Sequence, residues 1–194
     1  MKICLYGASS NDIPPLYISS TENLGEEIAK RGHSLIYGGG ANGLMGAAAR
    51  GVVRKGGSVI GVAPSFFNAD GVLFKGCKEI IYTETMRERK QIMETKSDAF
   101  VMVPGGIGTF DEFFEIITLK QLGRHNKPVA IFNVNGYFDE IIAMLEKAVN
   151  QGFMTEKSRN LAPMFADPRK LIEYLETVPS DTLEYNLNEF KKVT

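Results

Sequence analysis

Glu112 closes a stretch whose residue types suit anion binding beside an acid. Val103-Pro104-Gly105-Gly106-Ile107-Gly108-Thr109-Phe110-Asp111-Glu112 follows Ala99-Phe100-Val101-Met102-Val103, which reads as a buried strand. It precedes Phe113-Phe114-Glu115-Ile116-Ile117, which reads as an amphipathic helix. Glycines and a threonine therefore sit where a strand hands over to a helix. Glycine there lets the backbone approach a ligand closely, and the free N–H groups of a first helical turn attract anions. A phosphate is the expected guest. Glu112, one step inside that helix, points to chemistry on a phosphorylated small molecule.

A second loop of this kind lies upstream. Ser34-Leu35-Ile36-Tyr37 leads into Gly38-Gly39-Gly40-Ala41-Asn42-Gly43-Leu44-Met45-Gly46 and then helix-forming Ala47-Ala48-Ala49-Arg50. One such turn says little, since α/β proteins often need glycine there for steric reasons. Two in a small chain say more. Neither is a Walker A loop, because no Gly-Lys-Ser/Thr follows. Neither carries an acid about twenty residues later to grip a ribose, the nearest position being Gly61.

Arg89 and Lys90 lie on a helical pattern that breaks the usual polarity. At about 100° per residue, Met86 and Met93 share a direction, and the two cations flank it. Two readings stand: long stems snorkelling over apolar surface, or cations aimed into a cleft for a phosphate or an acid. Glu112 also has two readings, because Thr109-x-x-Glu112 matches a capping box. Thr85-x-x-Glu88 matches as well, and there the cap is the expectation. Glu115 falls on roughly the same face as Glu112, as a second catalytic carboxylate or as a solvated edge. His33 and His125 sit in turns without partners for metal or nucleophilic chemistry, and are read as structural. The aromatic residues between Phe66 and Phe74 read as core or subunit contact before base stacking.

These groups need elements to hold them, and the chain alternates strand and helix. Strands are expected at Ile3–Tyr6, Leu35–Tyr37, Val59–Val62, Ile80–Tyr82, Ala99–Val103 and Val129–Phe132, with a short last one at Leu161–Phe165. Helices are expected from near Leu16 to Gly32, at Leu44–Arg54, Met86–Ser97, Thr109–Leu122, Phe138–Asn150 and Pro168–Leu175, and a loop at Pro64–Cys77. The result is an α/β, Rossmann-like, doubly wound parallel sheet of about six or seven strands with helices on both faces. Ligands bind such sheets at the carboxyl ends of the strands, where both glycine loops fall. The 194 residues fit one domain, 1–194, with 179–194 as a C-terminal tail. A net charge of −1 recruits neither nucleic acid nor membrane surface. No run approaches the roughly 18 apolar residues of a membrane span, and Met1–Gly7 opens a strand, not a signal peptide. Cys4 and Cys77 lack metal-ligand spacing and read as buried thiols in a reducing cytoplasm.

Three segments together resemble the signatures of the Lonely Guy family: Gly38 through Gly46, Met86-Arg87-Glu88-Arg89-Lys90, and Pro104 through Glu112. The similarity runs to about Gly152, taking in Gln121 through Val129 and Asn133-Val134-Asn135-Gly136-Tyr137. That family comprises cytokinin riboside 5′-monophosphate phosphoribohydrolases, long mislabelled as lysine decarboxylases. The resemblance implies hydrolysis of the N-glycosidic bond of an adenine-type nucleoside 5′-monophosphate to free base and ribose 5-phosphate, by a homodimer needing no cofactor and no metal. It implies Arg89 and Glu112 as the catalytic pair. It implies Lys90, Gly105, Gly106, Ile107, Gly108, Thr109, Thr118, Gly39, Gly40, Gly43 and Met45 as substrate contacts. Gly71, before Val72-Leu73, stands where plant members tend to carry an acid.

The chemistry is consistent with that. N-glycosidic cleavage passes through a sugar with oxocarbenium character, and a carboxylate near C1′ stabilises it, activates water or attacks. A phosphate grip positions the reacting bond. Two rivals differ in what they need. A non-enzymatic nucleotide or molybdenum-cofactor carrier needs the glycine loops but neither Arg89 nor Glu112. A decarboxylase needs pyridoxal phosphate on a lysine with a partner for the ring nitrogen, which nothing near Lys90 supplies.

Overall fold

The computed structural model describes residues 1–67 and 71–178. Seven strands form one parallel sheet: β1 (Lys2–Tyr6), β2 (Ser34–Tyr37), β3 (Val59–Pro64), β4 (Glu79–Thr83), β5 (Ala99–Met102), β6 (Val129–Phe132) and β7 (Met164–Phe165). Helices α1 (Pro15–Lys30), α2 (Gly43–Arg54), α3 (Met86–Lys96), α4 (Ile107–Gln121), α5 (Asp139–Asn150), α6 (Glu156–Arg159) and α7 (Pro168–Thr177) connect or follow them. The fold is the expected α/β Rossmann-like one. The anticipated tail, 179–194, lies outside the described residues.

Strand order is β4-β3-β2-β1-β5-β6-β7. The chain winds outward from β1 to β4, then returns to place β5 on the other side of β1. The order reverses between β1 and β5, and connections leave that point in opposite directions, opening a crevice above the strands' carboxyl ends.

Alternation along the strands sorts the core. Ile3 and Leu5 of β1 join Leu24, Ile28, Leu44 and Leu171 on one face. Cys4 and Tyr6 join Met93, Phe100, Phe113 and Phe138 on the other. Buried parallel strands read as near-continuous apolar runs for this reason.

α1 and α2 approach closely because both carry glycine at the contact. A Cβ on Gly25 would lie 2.2 Å from the Ala48 carbonyl oxygen, and one on Gly51 2.1 Å from that of Glu22. Arg50 and Arg54 then reach across to Glu22, each with an N–O distance of 3.0 Å. Gly51→Ala must push the helices apart. It is expected to lower the urea midpoint by the equivalent of about 1–3 kcal/mol with an unchanged m-value; an unshifted midpoint would refute the close packing.

Candidate active site

Three loops meet where the strand order reverses. They follow β1 (Gly7 to Ser9), β2 (Gly38 to Asn42) and β5 (Val103 to Gly106). Ala8 is their junction. Its N–H donates to the Pro104 carbonyl at 3.0 Å, and its own carbonyl accepts from the Leu44 and Met45 amides at 2.9 and 3.3 Å. The Asn11 carboxamide accepts from the Gly43 amide at 2.8 Å and donates to the Asn42 side chain at 3.0 Å. These bonds fix the rim of a cavity of about 800 Å³.

Arg89 enters that cavity from α3. Thr85 caps α3 by accepting from the Glu88 amide at 3.1 Å, and the Glu88 carboxylate turns back to the Glu84 amide at 2.9 Å. The capped turn directs Arg89 inward until it is only 5% exposed. Its Nε donates to the Val62 carbonyl at 3.1 Å, and Nη1 to Glu112 Oε1 at 2.5 Å. Gly38 leaves the room: a Cβ there would stand 2.2 Å from Nη2. Of the two readings of this helix, the inward one holds for Arg89.

Glu112 does not cap its helix. α4 starts at Ile107, with Gly106 as N-cap, two residues before the start expected at Thr109. Glu112 is thereby carried into the second turn, away from the helix end, and its carboxylate meets Arg89. Burial pushes the Glu112 carboxyl above its ordinary value, and the Arg89 charge and hydrogen bond oppose that rise.

No side chain caps the N-terminus of α4. The first-turn amides of Ile107, Gly108 and Thr109 border the cavity with the helix dipole behind them. Gly105 supports this turn from outside, since a Cβ on it would lie 2.1 Å from Thr109 Oγ1.

The structure gathers Arg89, Glu112, Gly106, Ile107, Gly108, Thr109, Gly40 and Met45 around one cavity. The other expected contacts lie outside its lining. Lys90 sits on the flank of α3, where Asp111 (3.1 Å) and Glu115 hold its ammonium and raise its pKa. Glu115 is therefore Lys90's partner, not a second carboxylate beside Glu112. Thr118 lies in a separate groove on the outer face of α4. Gly39 adopts φ 78° in the turn that pairs with Leu73, and Gly43 adopts φ 60° against the Ala8–Ser10 backbone, so both shape the loops.

Residues not singled out from the sequence complete the cavity. Ala8 and Ser9 come from the loop after β1, the strand next to β5, which the switch-point rule alone marks out. Val72 and Leu73 form a wall because the Ala41 amide donates to the Val72 carbonyl and the Phe74 amide to that of Gly39, both at 2.9 Å. Phe67 and Met86 add apolar surface. The aromatic stretch divides: Phe74 packs on the core, Phe67 lines the cavity, and Phe66 stacks edge-on against Phe67. His33 pairs with Glu176, and His125 with the Ile116 carbonyl, both away from this cavity. Cys4 is sealed in the core, where burial pushes its thiol up to about 12. Among the described residues no His, Cys, Asp and Glu side chains cluster as a metal site.

Comparison with known proteins agrees with this geometry. The family described as "Possible lysine decarboxylase" matches residues 45–175. A probable cytokinin riboside 5′-monophosphate phosphoribohydrolase of Oryza sativa subsp. japonica is 40% identical over 175 residues, 90% of this chain and 77% of the relative. A cytokinin riboside 5′-monophosphate phosphoribohydrolase of Arabidopsis thaliana is 35% identical, covering 90% and 82%. Among solved structures, the molybdenum cofactor binding protein of Rippkaea orientalis superposes with a TM-score of 0.70 at 22% identity over 91% of this chain and 95% of its own. The molybdenum cofactor carrier protein of Chlamydomonas reinhardtii gives 0.70 at 23%, covering 91% and 98%. At such identities those two establish the fold alone.

The Arg89–Glu112 pair sets a measurable pKa. Difference infrared spectroscopy, with Glu112→Gln to assign the band, is expected to show this carboxyl titrating above the ordinary 4.5. Arg89→Met raises it further, because both contributions of Arg89 favour the ionised form. A pKa that stays unchanged or falls in that variant would show that Arg89 does not act on Glu112.

Proposed function

The chain belongs to the Lonely Guy family of cytokinin riboside 5′-monophosphate phosphoribohydrolases, and from that membership we propose that it is an N-glycosidase of adenine-type nucleoside 5′-monophosphates. It releases the free base and ribose 5-phosphate. Cytokinin riboside 5′-monophosphates and AMP are the substrate class. The observation that carries this reading is the buried Arg89–Glu112 pair, 2.5 Å apart, in the cavity bordered by the uncapped start of α4.

The amides of Ile107 to Thr109 hold the 5′-phosphate. Glu112, one turn further along α4, then faces the anomeric carbon. As the bond from C1′ to the base nitrogen breaks, the sugar gains positive charge and the carboxylate stabilises it. Water supplies the new C1′–O bond, and its proton leaves on the base. Nucleophile, general base and electrostatic partner alike require Glu112 ionised, the state that Arg89 favours. Because burial raises the pKa of Glu112, the carboxylate is lost as pH falls through a range above that of an ordinary glutamate. The acid limb of kcat/KM, which reports the free enzyme, therefore lies above the ordinary glutamate range.

We extend the proposal to a homodimer of single Rossmann-like domains in the cytoplasm. Ile107 is 88% exposed, and a groove beside it, lined by Phe110, Phe114, Thr118 and Leu119, lies open along α4. Such an apolar face suits a second copy, and Thr118 then belongs to that contact. Two free thiols suit a reducing compartment. No helix among the described residues is long and apolar enough to cross a membrane.

Base release from AMP and from isopentenyladenosine 5′-monophosphate tests the enzymatic reading. Glu112→Gln and Arg89→Met are each expected to lower kcat by about 10²–10⁴-fold while the circular dichroism spectrum stays intact. Tight nucleotide binding without base release by the wild type would favour the carrier reading. Phe114→Asp is expected to shift sedimentation velocity from dimer to monomer; an unchanged coefficient would place the contact elsewhere.

A further inference from the structure

Tyr137 follows β6, the strand beside β5, so its turn stands next to the loop that opens α4. Asn135 and Gly136 both take positive φ, 51° and 71°, which reverses the chain within two residues. The reversal is locked locally. The Asn133 side chain accepts from the Phe138 amide at 2.9 Å and donates to Asp139 at 2.8 Å. The Tyr137 ring is wedged edge-on between Tyr17, 5.8 Å between centroids, and Phe138, 4.9 Å. Its hydroxyl donates to the Gly105 carbonyl at 2.8 Å.

Gly105 and Gly106 are consecutive glycines, so the peptide plane between them has little steric reason to keep one orientation. No peptide in the described chain is cis, and in a trans peptide the carbonyl and the following N–H point in opposite directions. Tyr137, itself outside the cavity lining, draws the Gly105 carbonyl outward. The Gly106 N–H is thereby turned to the other side, and Gly106 lines the cavity. We infer that Tyr137 is a positioning residue of the phosphate grip: its hydroxyl holds the Gly106 amide in the orientation that receives the anion. The inference rests on the phosphate site proposed above and adds the Gly106 amide to those of Ile107 to Thr109.

Tyr137→Phe keeps the ring and removes the bond. With AMP as substrate, its KM and the inhibition constant of ribose 5-phosphate are expected to rise together by about three- to tenfold. Inhibition by adenosine, which lacks the phosphate, stays unchanged. Tyr17→Phe, which retains the ring against Tyr137, leaves all three values unchanged. Equal weakening of ribose 5-phosphate and adenosine would reduce Tyr137 to a packing role, and no change in either would overturn the inference. Should wild-type protein release no adenine from AMP, the functional reading falls. The role of Tyr137 is then decided by calorimetry with ribose 5-phosphate alone, where equal affinity of wild type and Tyr137→Phe rejects it.

Discussion

A guanidinium and a carboxylate withdrawn from water tolerate no misfit, because either one left alone is a buried uncompensated charge. Arg89 and Glu112 impose that condition on four separate stretches of chain. α3 must be capped so that its second turn faces inward. β3 must present the Val62 carbonyl to Nε. The loop after β2 must have no side chain at Gly38, where Nη2 lies. α4 must start early enough for Glu112 to leave the helix end. The pair is thus the point at which the two halves of the sheet agree on one geometry. Losing either partner costs more than the bond between them.

In the proposed reaction, that pairing also decides how the 5′-phosphate is held. Arg89 is matched by Glu112, and Lys90 by Asp111 and Glu115. Neither of these two cations is without a carboxylate partner. The remaining attraction is the array of main-chain amides at the start of α4, which carries partial positive charge without a counter-ion. Amides bind only where their planes point, so the grip depends on backbone order. The Ala8 junction, the Asn11 bridge and the Tyr137 hydroxyl supply that order from three sides.

Much of this was legible in residue patterns. The apolar runs of β1, β2, β5 and β6 marked a buried parallel sheet, while the helical direction of Arg89 beside Met93 left snorkelling and an inward turn both open, and the structure decides for the inward one. Other features were hidden for physical reasons. Thr109 looked like an N-cap because threonine caps well, whereas Gly106 takes that position through backbone conformation without any side-chain bond. The loop after β1 takes part largely through its main chain, and backbone groups leave no residue signature. Lys90 and Arg89 are neighbours with equal claims on paper; only the positions of Asp111 and Glu115 on the facing helix separate them. Gly39 and Gly43 read as ligand contacts, yet positive φ and crowded backbone account for both.

The placement of grip and acid on one helix is the economical part of the design. Glu112 is three residues beyond Thr109, about 4.5 Å along the axis of an α-helix. A helix is a stiff spacer, so the distance between anion and carboxylate does not depend on loop motion. Rotation matters equally: three residues advance about 300°, which keeps the acid close to the side on which the first-turn amides open. A spacing of one residue more or fewer would swing the carboxylate by about 100° and away from Arg89. The interval from glycine to glutamate therefore carries meaning that the residue types alone lack. In the proposed reaction it sets the reach from the 5′-phosphate, across the ribose, to the carbon where the bond breaks.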